Sequence, residues 1–339
     1  MVPQYPHPQP VTRMEFRTEL TVPPSDKAIT HKSRLLTVGS CFADEVGQRL
    51  ADNKFQVLVN PFGTIFNPVS LFELLEKSLS GEPLRTMPVE RDGLFFHYGL
   101  HSRYFAESPE AINQLVRRQM QQTADFLQAP ANSDKWLIIT LGTAWIYELA
   151  ESGVPVANCH KIPAKNFRKR LLQTEEIIGA FEKMFVTLPK NCHIILTVSP
   201  VRHIKDTLPL NTVSKSVLRL AVHQITEKFP QTGYFPAYEL LLDDLRDYRF
   251  YAADMLHPSE QAVDYIFDKF ASAYFRLPTL QLMQRWQKIR QGLAHRPLQA
   301  NSASHRRFLE DLSQKLAEIA PHLDVSEEMA ELQEQLNTL

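Results

Sequence analysis

Two segments far apart in the chain carry residue types suited to nucleophilic acyl transfer. The first, Leu35-Leu36-Thr37-Val38-Gly39-Ser40-Cys41-Phe42-Ala43-Asp44, runs an apolar strand into a Gly-Ser turn and straight into a helical pattern. That order puts Ser40 at the carboxyl end of a strand and over a helix N-terminus, where free amides and the helix dipole stabilise an anion. A nucleophilic serine needs an exposed hydroxyl and an oxyanion site built partly from its own N–H. The plainer reading makes Ser40 an N-cap. The second segment, Ala253-Asp254-Met255-Leu256-His257-Pro258-Ser259-Glu260, precedes a helical pattern through Val263, Ile266, Phe267 and Phe270. Pro258 suits the first turn of that helix. A carboxylate three residues before a histidine can bond Nδ1 and leave Nε2 to face a nucleophile. The plainer reading has Asp254 capping the turn and His257 in solvent. Cys41 is a rival nucleophile, since a thiol at a helix N-terminus can ionise early. The residue just inside a helix, however, points away from the site its neighbour faces.

The elements that must position these residues alternate. Arg34–Val38, Phe55–Val59, Trp136–Leu141 and His193–Val198 read as buried parallel strands, with Tyr234–Tyr238 a weaker fifth. Helical patterns follow Ser40 and cover Val69–Leu79, Ala111–Leu127, Glu175–Phe185 and Val213–Phe229. Alternation of this kind predicts an α/β fold, a parallel sheet with helices on both faces. Two hairpin signals interrupt it, Asp92-Gly93 near 86–106 and Ser152-Gly153 near 145–160. Both follow strand ends where ligands bind in open α/β sheets. The expected division is an N-terminal tail over 1–20, an α/β domain over 21–277 and a helical extension over 278–339. In the extension, Phe308, Leu312, Leu316 and Ile319 form one stripe, and Val325, Met329, Leu332, Leu336 and Leu339 another, with a polar connector over His295–Ser304. Such stripes usually face their own core; the alternative is a homodimer through these helices.

Composition removes several classes. The 339 residues are 44% hydrophobic and 22% charged, as in an ordinary globular chain. A formal net charge of −1 argues against a nucleic-acid binder. No apolar run approaches a membrane span, and Met1–Met14 lacks the apolar core of a secretory signal. The three cysteines, Cys41, Cys159 and Cys192, show no paired spacing and fit a reducing compartment, so the expected location is cytoplasmic. No spacing suggests a metal, a cofactor or a nucleotide loop. The basic run Lys161, Lys165, Arg168, Lys169 and Arg170 reads as a solvated helix face rather than a trap for acidic substrates. Only 11 glycines are present, against roughly 24 at average usage of about 7%. Gly39, Gly63, Gly142, Gly93 and Gly153 all fall at the proposed site end, and Gly63 is the one whose replacement is expected to cost activity rather than stability.

Gly39-Ser40-Cys41-Phe42-Ala43 spells the motif of the GSCFA family, which the chain resembles. Asn60-Pro61-Phe62-Gly63-Thr64, Leu141-Gly142-Thr143-Ala144-Trp145 and Asp254-Met255-Leu256-His257 resemble further family segments in the expected order, over roughly Thr21–Leu277. The family resembles the SGNH/GDSL hydrolases. This implies a flavodoxin-like three-layer α/β/α sandwich on a five-stranded parallel sheet, with Ser40 as nucleophile, His257 as general base and Asp254 as its orienter. It also implies an oxyanion hole from the amides of Ser40 and Gly63. The superfamily's asparagine is missing: Gly142-Thr143-Ala144-Trp145 stands where Gly-x-Asn-Asp is expected, leaving Thr143 Oγ as a substitute donor.

Asn60 and Asn67 are alternative donors, or turn residues beside Pro61 and Pro68. With Trp145, His160 and His203 they are candidates for the pocket wall. His97, His101, His160 and His203 read first as hydrogen-bonded structural histidines. The leading expectation is a serine acyl-ester hydrolase acting through an acyl-enzyme on a small-molecule or glycan ester, without cofactor. An acyltransferase and a non-catalytic ligand-binding protein are the alternatives.

Overall fold

The computed structural model describes residues 17–129, 134–295 and 302–338. Residues 1–16 of the expected 1–20 tail, residues 296–301 at the heart of the polar connector, and Leu339 lie outside the described residues. The strands are β1 (Arg34–Gly39), β2 (Gln56–Val59), β3 (Pro88–Arg91), β4 (Leu94–His97), β5 (Lys135–Leu141), β6 (Trp145–Leu149), β7 (Pro155–Val156), β8 (Phe167–Leu171), β9 (Cys192–Val198) and β10 (Thr232–Tyr234). The helices are α1 (Cys41–Asp52), α2 (Pro68–Ser80), α3 (Pro109–Gln128), α4 (Thr174–Phe185), α5 (Thr207–Lys228), the single turn α6 (Ala237–Glu239), α7 (Glu260–Tyr274), α8 (Leu277–Leu293), α9 (Ala303–Ile319) and α10 (Ser326–Asn337).

The central sheet is five-stranded and parallel, in the order β10-β9-β5-β1-β2. Its three inner strands, β1, β5 and β9, are near-continuous apolar runs because both faces are buried. Alternate residues enter opposite cores. Leu36, Val38, Leu137, Ile139, Leu141, Ile194, Leu196 and Val198 join one cluster with α2–α5. Leu35, Trp136, Ile138 and Ile195 join the other with α1 and α7. This is the expected three-layer α/β/α sandwich. The chain leaves β1 toward β2 on one side and later returns to β5 on the other, so the order reverses at the end of β1. That reversal is where open α/β sheets bind ligands, and Ser40 sits there.

The first insertion is the expected hairpin. Pro88 pairs with His97 and Arg91 with Leu94 across Asp92-Gly93, both with positive φ (55° and 78°), as a two-residue hairpin turn requires. The second is larger than expected. Besides β6 and β7 it recruits β8, giving the order β7-β6-β8. Arg168, Lys169 and Arg170 therefore lie on a strand, not on a helix face. Their charges explain the pairing: Arg168 and Arg170 both bind the buried Glu148 on β6, at 2.6 and 2.8 Å, while Lys169 pairs with Asp206.

Helix α7 starts at Glu260 with Ser259 as N-cap, accepting from Ala262 N–H at 3.3 Å. Pro258 lies just outside, bridging to Tyr251. The C-terminal stripes close on their own core around Trp286, Leu312, Leu316, Ile319 and Leu332. Trp286 Nε1–H donates to Asp52 O at 2.6 Å and Lys54 pairs with Glu328 at 2.6 Å, which docks these helices against the α1–β2 turn.

Candidate active site

The Ser40 turn is built by close approach of two strands. Gly39 has φ +129°, and a Cβ there would stand 2.1 Å from Thr140 O. Only glycine fits, and this contact lets Ser40 N–H donate to the same carbonyl at 3.0 Å. Ser40 then caps α1, its Oγ accepting from Phe42 N–H at 3.3 Å, and its side chain is fully buried. Asn60 pins the turn from β2. Its Oδ1 accepts from Gly39 N–H at 3.1 Å, and its Nδ2 donates to Gly39 O at 3.4 Å and to Asp44 Oδ2 at 3.0 Å. Thr64 Oγ1–H adds a bond to the same Asp44 oxygen at 3.4 Å. Asn60 is buried with φ 43°, a region asparagine tolerates better than most residues.

The histidine loop has the expected local geometry. Asp254 Oδ2 meets His257 Nδ1 at 2.6 Å, while Oδ1 accepts from Leu256 N–H at 2.9 Å and His257 N–H at 3.0 Å. Asp254 thus both caps the turn and orients the ring. These hydrogen bonds, led by the His257 amide, hold its carboxyl down at about 2. Met255 takes φ 59° to make the turn, and Leu256 O accepts from Arg202 N–H at 3.1 Å, tying the loop to the end of β9. The His257 side chain is about half exposed, at 49%. Among the described residues, His257 Nε2 and Ser40 Oγ share no hydrogen bond.

Other sequence candidates are committed elsewhere. Gly63 N–H donates to Asn60 O at 2.8 Å, and a Cβ on Gly63, whose φ is +71°, would strike His101 Cβ at 2.5 Å. Gly63 is therefore a turn glycine packed under the first insertion, and its replacement strains the fold itself. Thr143 Oγ1 accepts from Trp145 N–H at 3.1 Å and lies 2.9 Å from Ser214 Oγ. Asn67 caps α2 through Ser70 N–H at 2.8 Å and donates to Val156 O at 3.2 Å. Trp145 Nε1–H donates to Leu210 O at 3.3 Å, with Lys169 above its ring.

Both nitrogens of His160 are used, against Ser102 Oγ at 3.1 Å and His97 O at 2.8 Å. It is a buried tie between the two insertions, and burial pushes it down to about 4. His97 is pushed to about 4 by the same cause and accepts from Gly99 N–H at 3.1 Å; His101 accepts from Arg103 N–H at 3.3 Å. His203 is the exception. Its ring meets Phe66 edge-on at 5.1 Å, and its buried Nε2 has no partner among the described residues. Burial, with the charges of Lys215 and His257 nearby, holds it down at about 3. Burial, aided by Asp44, pushes the Cys41 thiol up to about 11, which disqualifies it as a ready nucleophile.

Sequence reasoning missed Asp44, the Asn60 tether and Lys215. Asp44 was visible as a first-turn acid in α1. Lys215 was visible as a charge inside the apolar stripe that Leu218 and Val222 continue along α5.

No group of three metal-ligating side chains occurs among the described residues, and no described helix is long and apolar enough to cross a membrane. The chain resembles solved structures that include two carbohydrate esterases. The family 3 carbohydrate esterase of Clostridium thermocellum is 12% identical, with a TM-score of 0.31, covering 75% of this chain and 98% of its own. The carbohydrate esterase family 3 protein of Talaromyces cellulolyticus is 9% identical, with a TM-score of 0.32, covering 74% and 97%. No curated protein matches the chain by sequence. Residues 286–338 match the C-terminal domain of GSCFA domain proteins. Residues 34–270 match the GSCFA family across the sandwich and its site, and the chain belongs to that family.

Proposed function

We propose that the protein is a serine acyl-ester hydrolase whose α/β domain spans residues 21–277, with 278–339 as its helical extension. The observation that supports this most directly is the 2.6 Å Asp254–His257 contact on a loop at the Ser40 end of the sheet. It presents Nε2, the nitrogen a general base uses, with the ring orientation already set. His257 Nε2 takes the proton of Ser40 Oγ as the oxygen attacks an ester carbonyl carbon. The tetrahedral oxyanion forms over the positive end of α1. The imidazolium returns its proton to the departing alcohol oxygen. Water, deprotonated by the same nitrogen, then cleaves the acyl-Ser40 bond, releasing a carboxylic acid and restoring the serine. Because Ser40 is buried, acylation requires its cover to part, and the Ser40 and Gly63 amides must leave their carbonyls before they can serve an oxyanion.

That last requirement favours a second reading, a ligand-binding protein that uses the same cleft without turnover. A fluorophosphonate probe with peptide mapping separates the two. The esterase labels at Ser40, hydrolyses p-nitrophenyl acetate, and loses both in Ser40→Ala. Labelling at Cys41, or unchanged turnover in Ser40→Ala, refutes the assignment.

A further inference from the structure

The end of the sheet holds a charged group that the proposed triad does not use. Lys215, on α5, is 2% exposed. Its Nζ donates to Gly142 O and Ser199 O, each at 2.7 Å. These carbonyls follow β5, which pairs with β1 beside the Ser40 turn, and β9, the next strand out. Among the described residues, the ammonium pairs with no carboxylate. The titratable groups facing it are Cys41 at the start of α1, His203 in the loop after β9, and Tyr238 on α6, whose ring centroid lies 5.9 Å from Nζ.

A lysine that only filled space here would be replaced at lower cost by an apolar side chain of the same length, since burying a charge without a counter-charge is unfavourable. Three features indicate instead that the charge is kept for the site. It ties the end of β9 to the end of β5, the strand whose Thr140 carbonyl the Ser40 turn is built on. It neighbours the residue directly after Ser40. Finally, it donates to the carbonyl of Gly142, in the segment where the resemblance expects an asparagine donor and none is present.

We propose that Lys215 is a positioning residue of this site: it locks the ends of β5 and β9 beside the Ser40 turn and lends positive potential to the negative charge that develops there. This rests on the esterase reading. It has a consequence that a purely structural lysine lacks. Burial pushes the Lys215 ammonium down to about 7, so the stabilising charge fades as pH rises through neutrality. A hydrolase with an ordinary triad instead holds its rate once the base is neutral.

The test is the pH dependence of p-nitrophenyl acetate hydrolysis and of fluorophosphonate labelling at Ser40, from pH 5.5 to 9.5, with circular dichroism confirming a folded protein throughout. The wild type is expected to lose rate above about pH 7. Lys215→Met is expected to show kcat lowered about 10²-fold, the loss typical of one oxyanion donor, with KM within about twofold and no alkaline descent. Lys215→Arg, charged beyond pH 12, is expected to retain rate and also lose the descent. If either variant fails to fold, the wild-type profile decides. A wild-type plateau through pH 9, or a Lys215→Met variant with wild-type kcat, overturns this inference and leaves the esterase reading standing. A wild type that neither labels at Ser40 nor turns over overturns the esterase reading, and this inference with it.

Discussion

Asn60→Asp isolates the tether beneath Ser40 with a change of one proton-bearing group. The carboxyl keeps Oδ1 as acceptor for Gly39 N–H at 3.1 Å. It loses the Nδ2 donor that meets Asp44 Oδ2 at 3.0 Å and sets two carboxylates against each other there. With both ionised, the repulsion at about 3 Å is roughly 5 kcal/mol at an effective dielectric of about 20. The pair escapes part of that by holding one proton, which at pH 7 costs a carboxyl of ordinary pKa near 4 about 4 kcal/mol. So the variant is expected to be about 4 kcal/mol less stable than wild type at pH 7. The folded pair holds a proton that the unfolded chain releases, so stability falls as pH rises. On acidification the loss is recovered at up to about 1.4 kcal/mol per pH unit, until near pH 4 the protonated carboxyl donates to Asp44 as the amide did. Urea denaturation at several pH values between 4.5 and 8, differenced against wild type to remove the shared titration of His101, measures this. Asn60→Ala serves as the control. It strands the Gly39 N–H at a cost of about 1–3 kcal/mol and adds no pH slope. A pH-independent difference, or an Asn60→Asp variant within about 1 kcal/mol of wild type at pH 7, would refute the tether.

Two further outcomes follow from the same turn and loop. Gly39→Ala drives a methyl against Thr140 O, 2.1 Å away, at a φ of +129°, so β1 and β5 must part. The expected loss is at least about 3 kcal/mol, and a soluble variant with the wild-type urea midpoint would contradict it. The Asp254 carboxyl is held at about 2 against 3.8 for a free aspartate. A depressed folded value means that its contribution is complete above about pH 4 and fades as pH falls through about 2. In a ¹³C titration, Asp254 should protonate well below the exposed aspartates, and an unshifted midpoint would mean that the His257 contact is not formed in solution.

What could be read from the sequence depended on how local the cause was. The strands β1, β5 and β9 stood out because both of their faces are buried, which makes apolarity continuous, while the shorter, half-buried edge strand β2 showed through Val57, Leu58 and Val59. β10 was displaced, expected at Tyr234–Tyr238 and found at Thr232–Tyr234: Phe235 is apolar because it packs in a core, and Pro236 cannot continue a ladder. α5 begins at Thr207 rather than Val213, since the exposed Leu208 and Leu210 break the amphipathic pattern and Pro209 is tolerated in a first turn. β8 was hidden because three consecutive basic residues suit a helix surface equally well. Only the Glu148 carboxylate, 20 and 22 residues away, gives them a reason to be a strand.

The same rule divides the site. Asp254 and His257 are three residues apart, so their contact is a property of one turn and was legible. The state of the proposed oxyanion donors was not, because a backbone amide's availability depends on what stands opposite it. Ser40 N–H is taken by Thr140 O through the register of β1 on β5, and Thr143 Oγ1 by Ser214, 71 residues on. Residue type reveals neither commitment. Lys215 lies between these cases. A lysine in the stripe that Leu218 and Val222 carry to the core contradicts the amphipathic pattern, and such a contradiction costs stability unless something offsets it. Here the partners are carbonyls at the ends of β5, which adjoins the Ser40 turn, and of β9, the next strand, so the break in pattern coincides with the place where negative charge would develop. A break in periodicity is therefore the sequence-level trace of a long-range polar contact, and in this chain it points to the proposed site as directly as the Gly-Ser turn does.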